Sequence, residues 1–416
     1  MNDIVLAGRG FASPYEPFDE EFLAAVTVVH TRALTRRFLE RFGKQLRARS
    51  DGLVPTLERW LSEDATFDDV WDTAFGRLRF CLHFPTRVDV VRAAATAALW
   101  IAERGGTADW EARFEQPARM LIGRNLLPAA DRIGVTAGGG CIEMRVSRGG
   151  RTRTVTLPRP MPFDASAAAC DVLASTDVEG ARILILTKEA WEAREFGEDA
   201  IADPDPDSIL LHLETMLRLV ARESPLYFDW IRRVVRRILP LPDDPRVMTS
   251  STDPWRPGVL YSANRPNPAA LAEMWIHEGS HQYMYVLTRL GPLEDGSDPN
   301  LYYSPVSRRM RPLGVIVLAY HAVANITLFC RTCPPGSRLR PRETEKTFVE
   351  ALAAFEKILL RSRAVTAAGR ALWEPLYERL HARGDGPISA ARSPGKAPRG
   401  ASGSYRSTTA RRPTAR

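Results

Sequence analysis

The sequence predicts an α+β fold, mainly α with a small β portion: a helical N-terminal half, short antiparallel strands, and a helical C-terminal half. Three features point that way. Apolar residues recur with a 3.6-residue period over most of residues 1–125 and again after 208. Between 134 and 157 the period drops to two, with Ile142, Met144 and Val146 on one arm and Val155 and Leu157 on the other. Residues 312–330, "PLGVIVLAYHAVANITLFC", are apolar almost all round. They approach the length of a membrane span, but they contain His and Asn and suit the central helix of a large core.

Taken in order, "FLAAVTVVHTRALTRRFLERFGKQLRA" and "RVDVVRAAATAALWIAERG" read as amphipathic helices with arginine on the outer face. Gly149-Gly150 closes a hairpin, because consecutive glycines accept the positive φ angles of a two-residue loop. The glycines at 138–140 lack a following G-K-[ST] and helix, so they are no phosphate loop. "ARILILTKEAW" adds a strand, and the Asp/Pro run 202–208 reads as a hinge or a helix start. "SILLHLETMLRLVARES" and "FDWIRRVVRRILPL" read as helices, the second with Arg232, Arg233, Arg236 and Arg237 on a solvated face. "PGVLYSANRP" reads as a strand leading into a helix with Asn267 as N-cap, Pro268 in the first turn and a stop at Gly291-Pro292. The organisation expected is a helical region 1–133 suited to peptide recognition, a hairpin-containing segment 134–200, a metal-binding region 201–385 and a disordered basic tail 386–416.

Charge supports that last boundary. Of 57 Lys and Arg, seven lie in 386–416, which holds no acid; the rest of the chain carries 50 basic against 50 acidic residues. The net charge of +7 therefore belongs to a Pro/Gly/Ser/Arg tail too polar to bury a core, and no nucleic-acid partner is expected of the body. Five Cys in 416 residues make no disulfide framework, and Cys330 and Cys333 read as ordinary thiols. The N-terminus has acids and no sustained apolar run, so a cytoplasmic location is expected, with no membrane attachment.

Two of the seven histidines meet in "IHEGSHQY". His277 and His281 are four apart, with Glu278 after the first, the H-E-x-x-H pattern. On a helix, positions i and i+4 share a face, so both imidazoles reach one ion. Gly279 is out of place there, since a mid-helix Gly costs about 1 kcal/mol against Ala; it suggests close approach of another backbone or of substrate. Two histidines do not complete a metal site. Among His212, His321 and His381, His321 is the expected third ligand, because it lies midway along the apolar run, where an unpaired imidazole is costly. The alternative for His321 is a core histidine bonded to a carbonyl. Glu294, Asp295 and Asp298 compete as ligands but read as a polar loop, and His30 and His83 stand apart from other ligand types.

Three ligands with open positions make a catalytic site. With zinc, Glu278 would act as general base in peptide hydrolysis. With Fe(II), a 2-oxo acid and oxygen would take the open positions, and a cation would clamp the far carboxylate. "YYSPVSRRMRPLG", 302–314, offers Arg308, Arg309 and Arg311 for that role.

The run from "VMTSSTDPWRPGVLYSANRPNPAALAEMWIHEGSHQYM" through "YYSPVSRRMRPLGVIVLAYHAVANI" resembles the HExxH-type 2-oxoglutarate-dependent peptide β-hydroxylases that act in the maturation of ribosomally made, post-translationally modified peptides. It is similar to them in the strand ending P-G-x-x-x-S, the HExxH helix, the S-P and R-P-L loop, and the later apolar helix with a His. It departs from them at Val306 and in the basic "SRRM". The resemblance covers roughly 245–330. It implies Fe(II) and 2-oxoglutarate as cofactors and hydroxylation of a residue β-carbon in a precursor peptide. It also implies His277, His281 and His321 as metal ligands and Arg311 as the co-substrate clamp, helped by Ser304 or Arg309. Glu278 would be a supporting partner, a base or a replacement ligand. A zinc peptidase is the alternative function, and a catalytically inactive metal- or peptide-binding protein the third.

Overall fold

Among the described residues two large hydrophobic cores organise the chain, one built mostly by its first 160 residues and one mostly by the rest, with a third, smaller cluster around Leu126, Leu239 and Val259. The computed structural model describes residues 7–62, 71–85, 89–187, 205–241, 250–340 and 344–382, all within a single contact unit, Met1–Ala382. The expected basic tail and residues 202–204 of the Asp/Pro run lie outside the described residues.

The first core begins with α1 (Glu20–Arg49), whose N-cap Asp19 accepts from Phe22 N at 2.9 Å. A short β1 (Ser50–Asp51), α2 (Leu53–Ser62), α3 (Thr73–His83) and α4 (Val90–Glu103) follow. Then comes β2 (Ala108–Ala118), in which Ala108, Trp110, Ala112 and Phe114 alternate inward. This corrects the expectation of helix up to 133: a period of two, once paired, dictates a strand, and α4 packs on its inner face. The sheet continues through β5 (Ala130–Gly138), β6 (Cys141–Arg148) and β7 (Arg151–Pro158) in the antiparallel order β1-β2-β5-β6-β7, with β3 (Leu121–Ile122) and β4 (Asn125–Leu126) in the β2–β5 connection. The expected hairpin is β6–β7, turning at Gly149 and Gly150 with φ of 54° and 79°.

After β8 (Asp171–Val172), the second sheet is mixed, in the order β12-β13-β11-β10-β9. Its strands are β9 (Ser175–Val178), β10 (Ala181–Ile185), β11 (Arg237–Leu241), β12 (Ser250–Ser251) and β13 (Val259–Ala263). Between β10 and β11 come α5 (Pro206–Glu223), capped by Asp205, and α6 (Pro225–Arg232). The helix expected over "FDWIRRVVRRILPL" thus stops at Arg232, and its last third is β11. Pairing on both edges, parallel to β10 and β13, overrides the helical arginine spacing, and the β-branched Val234, Val235 and Ile238 are buried there.

The remaining elements are α7 (Pro268–Leu287), the hairpin β14 (Leu301–Ser304) and β15 (Arg309–Pro312), α8 (Leu313–Thr332), α9 (Thr344–Leu359) and α10 (Ala367–His381). Asn267 caps α7 as its sequence predicts, accepting from Ala269 N at 2.9 Å. Of the described helices, α8 is the one long and apolar enough to cross a membrane, and 78% of that window is buried inside the protein. It is the central core helix, packed against α7, α9 and α10. Burial of Leu313, Ile316, Val317 and Leu328 contributes about 1.5–3 kcal/mol each.

Candidate metal centre

The HExxH motif lies in the middle of α7, two to three turns after its cap. The rings of His277 and His281 meet edge to face, 4.7 Å between centroids, as i,i+4 neighbours should. Tyr285, one further turn along, has its ring 6.5 Å from that of His281, and its hydroxyl donates to the Thr252 carbonyl at 3.5 Å. Sequence reading missed Tyr285, although its spacing of four from His281 puts it on the same face.

His321 comes from α8 and is fully buried. Its Nε2 lies 3.0 Å from the carbonyl oxygens of both Phe11 and Ala12. Carbonyls only accept, so Nε2 carries the proton and Nδ1 presents a bare lone pair. Among the described residues that buried Nδ1 has no hydrogen-bond partner, and neither has Nδ1 of His281. Asn325, one turn on, donates to the Ala12 carbonyl at 2.8 Å and accepts from the Tyr227 hydroxyl at 3.1 Å. The peptide at Phe11–Ala12 is thus held from two directions, and with it the tautomer and tilt of His321. No local signal in the sequence reveals this partner, which lies some 310 residues away.

Burial lowers the pKa of His277 and of His321 to about 4. His281 is pushed well below the usual imidazole range by burial and then by its neighbours His277 and His321. All three are therefore neutral at neutral pH, the form that coordinates a metal without first losing a proton. Among the described residues no three His, Cys, Asp or Glu side chains stand close enough to hold an ion as they are. The chemistry of the set nonetheless fits one: neutral imidazoles, unpartnered buried nitrogens, and one ring whose far nitrogen donates to backbone carbonyl, as metal-bound histidines do.

Glu278 is held from the side by β12. It is 4% exposed, accepts from the Ser250 hydroxyl at 2.8 Å, and lines a small cavity between α7, α5 and β13 with Leu213, Met216 and Ser262. Burial raises its pKa to about 7, against the opposing bond from Ser250. Gly279 is explained by packing: a Cβ there would lie 2.5 Å from Ile231 Cδ1 and 2.9 Å from its Cγ2, so it is α6, not a ligand, that comes close.

The arginine-bearing loop is the hairpin β14–β15. Ser304 is buried, and its Oγ accepts from Ser307 N at 3.4 Å. Arg308 and Arg309 are exposed, and Arg311 is partly buried, with its Nε donating to Ser307 Oγ at 3.4 Å. In the antiparallel register Arg309 faces Ser304 and Arg311 faces Tyr302, so these four share one face of the hairpin. Among the described residues no hydrogen bond joins that face to the histidines. The other His candidates are accounted for: Nδ1 of His212 bonds Asn264 at 2.9 Å, and His381 pairs with Glu356 at 3.1 Å. Glu294 forms a bridge with Val365, and Cys330 and Cys333 are buried free thiols.

No protein-family model matches this chain, and no curated protein matches it.

Proposed function

We propose that the chain is a metal-dependent peptide-modifying enzyme with His277, His281 and His321 as ligands. We propose further that it is an Fe(II)/2-oxoglutarate-dependent β-hydroxylase of a ribosomally made peptide, working in the cytoplasm. The observation that carries the metal reading is the bare, buried Nδ1 of His321, opposite an Nε2 fixed by two carbonyls. A purely structural core histidine would leave that acceptor unsatisfied at a cost of about 1–3 kcal/mol.

When bound, Fe(II) would supply the redox chemistry for oxygen. The overall change would be peptide C–H plus O2 plus 2-oxoglutarate to peptide C–OH, succinate and carbon dioxide. This chain's own residues would hold and orient the participants. His321 is locked by the Phe11–Ala12 peptide, and the face bearing Arg311, Arg309 and Ser304 would hold the co-substrate carboxylate. The oxygenase reading rests on the ordered sequence motifs. A zinc peptidase is favoured by one observation, the Glu278 pKa of about 7, which suits a general base.

Metal content after anaerobic purification and reconstitution tests the core of the proposal. One metal per chain is expected, and His321→Ala should abolish its retention rather than merely slow turnover. Full retention by that variant would remove His321 from the ligand set. Succinate formation from 2-oxoglutarate with Fe(II) and O2, and a 16 Da gain on a peptide, would support the oxygenase. Oxygen-independent cleavage by zinc-loaded protein, with no succinate formed, would establish the peptidase instead.

A further inference from the structure

The arginines expected to be solvated on a helix face instead line a cavity of about 700 Å³. Its walls come from α1, the N-cap of α3, the C-terminal end of α4, the loop Pro160–Phe163, β10 and the α6–β11 joint. Six arginines border it: Arg104, Arg182, Arg232, Arg233, Arg236 and Arg237. Three carboxylates of the lining, Glu20, Asp72 and Glu103, stand against them, and two more from outside it, Asp177 and Asp229, leave a formal excess of one positive charge. Several of these arginines are already engaged. Arg232 pairs with Asp229 at 2.8 Å, Arg233 with Glu20 at 3.0 Å, and Arg182 with Asp177 at 3.0 Å.

Arg237 differs. Its Nη2 donates to Asp72 at 2.7 Å, but its Nε and Nη1 are buried with no hydrogen-bond partner among the described residues. A guanidinium carries five N–H donors and is always charged, so burying it with one carboxylate contact leaves strong donors unused. The neighbouring Glu103 does not supply the missing acceptor; its Oε2 accepts from Gly123 N at 3.2 Å. Burial pushes the Glu103 carboxyl upward, which makes it a weaker counterion still. Apolar surface accompanies the charge: Leu23, Trp71, Met161, Phe163 and Leu184 line the same space, with Arg182 over the Phe163 ring at 5.7 Å. A volume of this size is typical of small-molecule sites, which combine apolar walls with a few convergent polar groups.

We propose that this cavity binds a small organic anion carrying carboxylate or phosphate on a partly apolar body, with Arg237 as its central contact. The unused donors of Arg237 and the net positive lining call for an anionic group, and the rings and Met161 call for an apolar part. The site is separate from the histidine face, yet tied to α7 from behind. Trp71 Nε1 donates to Gln282 Oε1 at 2.9 Å, and Ile231, just before the arginine run, packs on Gly279.

Calorimetric titration of the full chain, stripped of metal by chelator and dialysis, with inorganic pyrophosphate and separately with tricarballylate at near-physiological salt tests this. Saturable binding at one site per chain is expected for at least one probe. Tighter pyrophosphate binding would identify a phosphate ligand, and tighter tricarballylate binding a carboxylate one. Arg237→Gln should weaken binding at least about tenfold. Because it also removes the Arg237–Asp72 ion pair, Arg182→Gln at the more exposed rim is the second variant, expected to weaken binding about threefold or more without unfolding the protein. No saturable binding by either anion up to about 10 mM, binding indifferent to both substitutions, or binding only of an acidic peptide would overturn the proposal.

Discussion

At the scale of single residues, what each side chain touches decides its role more than its type. Gly279 sits in a helix where alanine would gain about 1 kcal/mol of propensity. The added methyl would meet Ile231 Cδ1 at 2.5 Å and Cγ2 at 2.9 Å, and overpacking of that kind costs about 1–3 kcal/mol. The clash wins: Gly279→Ala should lower stability by about 1 kcal/mol in urea unfolding, and Ile231→Val in the same chain should recover part of it. An unchanged midpoint for Gly279→Ala would mean that α6 yields freely. His30, in α1, gives a pH test away from the candidate centre. Burial, and then the Arg79 charge, lowers its pKa to about 4, below the usual 6.5. The unfolded chain therefore binds the proton more readily. The stability contributed by neutral His30 is whole above pH 6.5 and is lost as pH falls towards 4. Thermal midpoints at pH 7 and 4.5 should differ less in His30→Gln than in the parent; equal differences would show that His30 plays no part.

Among the elements, the hairpin β14–β15 carries the most specific functional expectation. Its register places Arg311 beside Tyr302 and Arg309 beside Ser304, and β15 continues along the chain into α8, the helix that carries His321. If Arg311 holds the far carboxylate of 2-oxoglutarate, the contact is a charge-assisted pair worth roughly 1.5–3 kcal/mol. In Fe(II)-loaded protein under anaerobic conditions, Arg311→Ala should raise the 2-oxoglutarate concentration needed for the visible charge-transfer band at least about tenfold, with metal content unchanged. The exposed Arg308→Ala should have little effect. A normal titration for Arg311→Ala would move the clamp to another residue. The helix α8 is the counterpart of this exposed hairpin: its apolar surface is buried in the core, and the N-terminal segment at Phe11–Ala12 accepts from His321 Nε2 and Asn325 Nδ2.

For the whole molecule, both cores lie within Met1–Ala382. All the excess basic charge of the sequence lies beyond, in 386–416. A chain ending at Ala382 should therefore keep its thermal midpoint to within about 2 °C, since no core residue is removed. A larger fall would mean that the basic segment docks on the body.

The α+β class, the start of α7 at Asn267 and Pro268 (its end at Leu287 falls short of the expected stop at Gly291-Pro292), the β6–β7 turn and the helical nature of α8 were all legible in the sequence. Each is set by local chemistry: a cap, a pair of glycines, or a period that one helix or hairpin expresses by itself. The pairing of His277 with His281 was legible for the same reason, because four residues make one helical turn. What only the tertiary structure decided depends on contacts far apart in the chain. The segment "RRVVRRILPL" turns from helix to strand because β10 and β13 are there to pair with it. Its arginines line a cavity because α1, α4 and the 160–163 loop close over them. The tautomer of His321 is set by carbonyls at residues 11 and 12, and Glu278 takes its hydrogen bond from Ser250. Sequence periodicity reports which side of an element is buried; it carries no information about which distant group meets it there, and that meeting sets hydrogen-bond satisfaction and protonation.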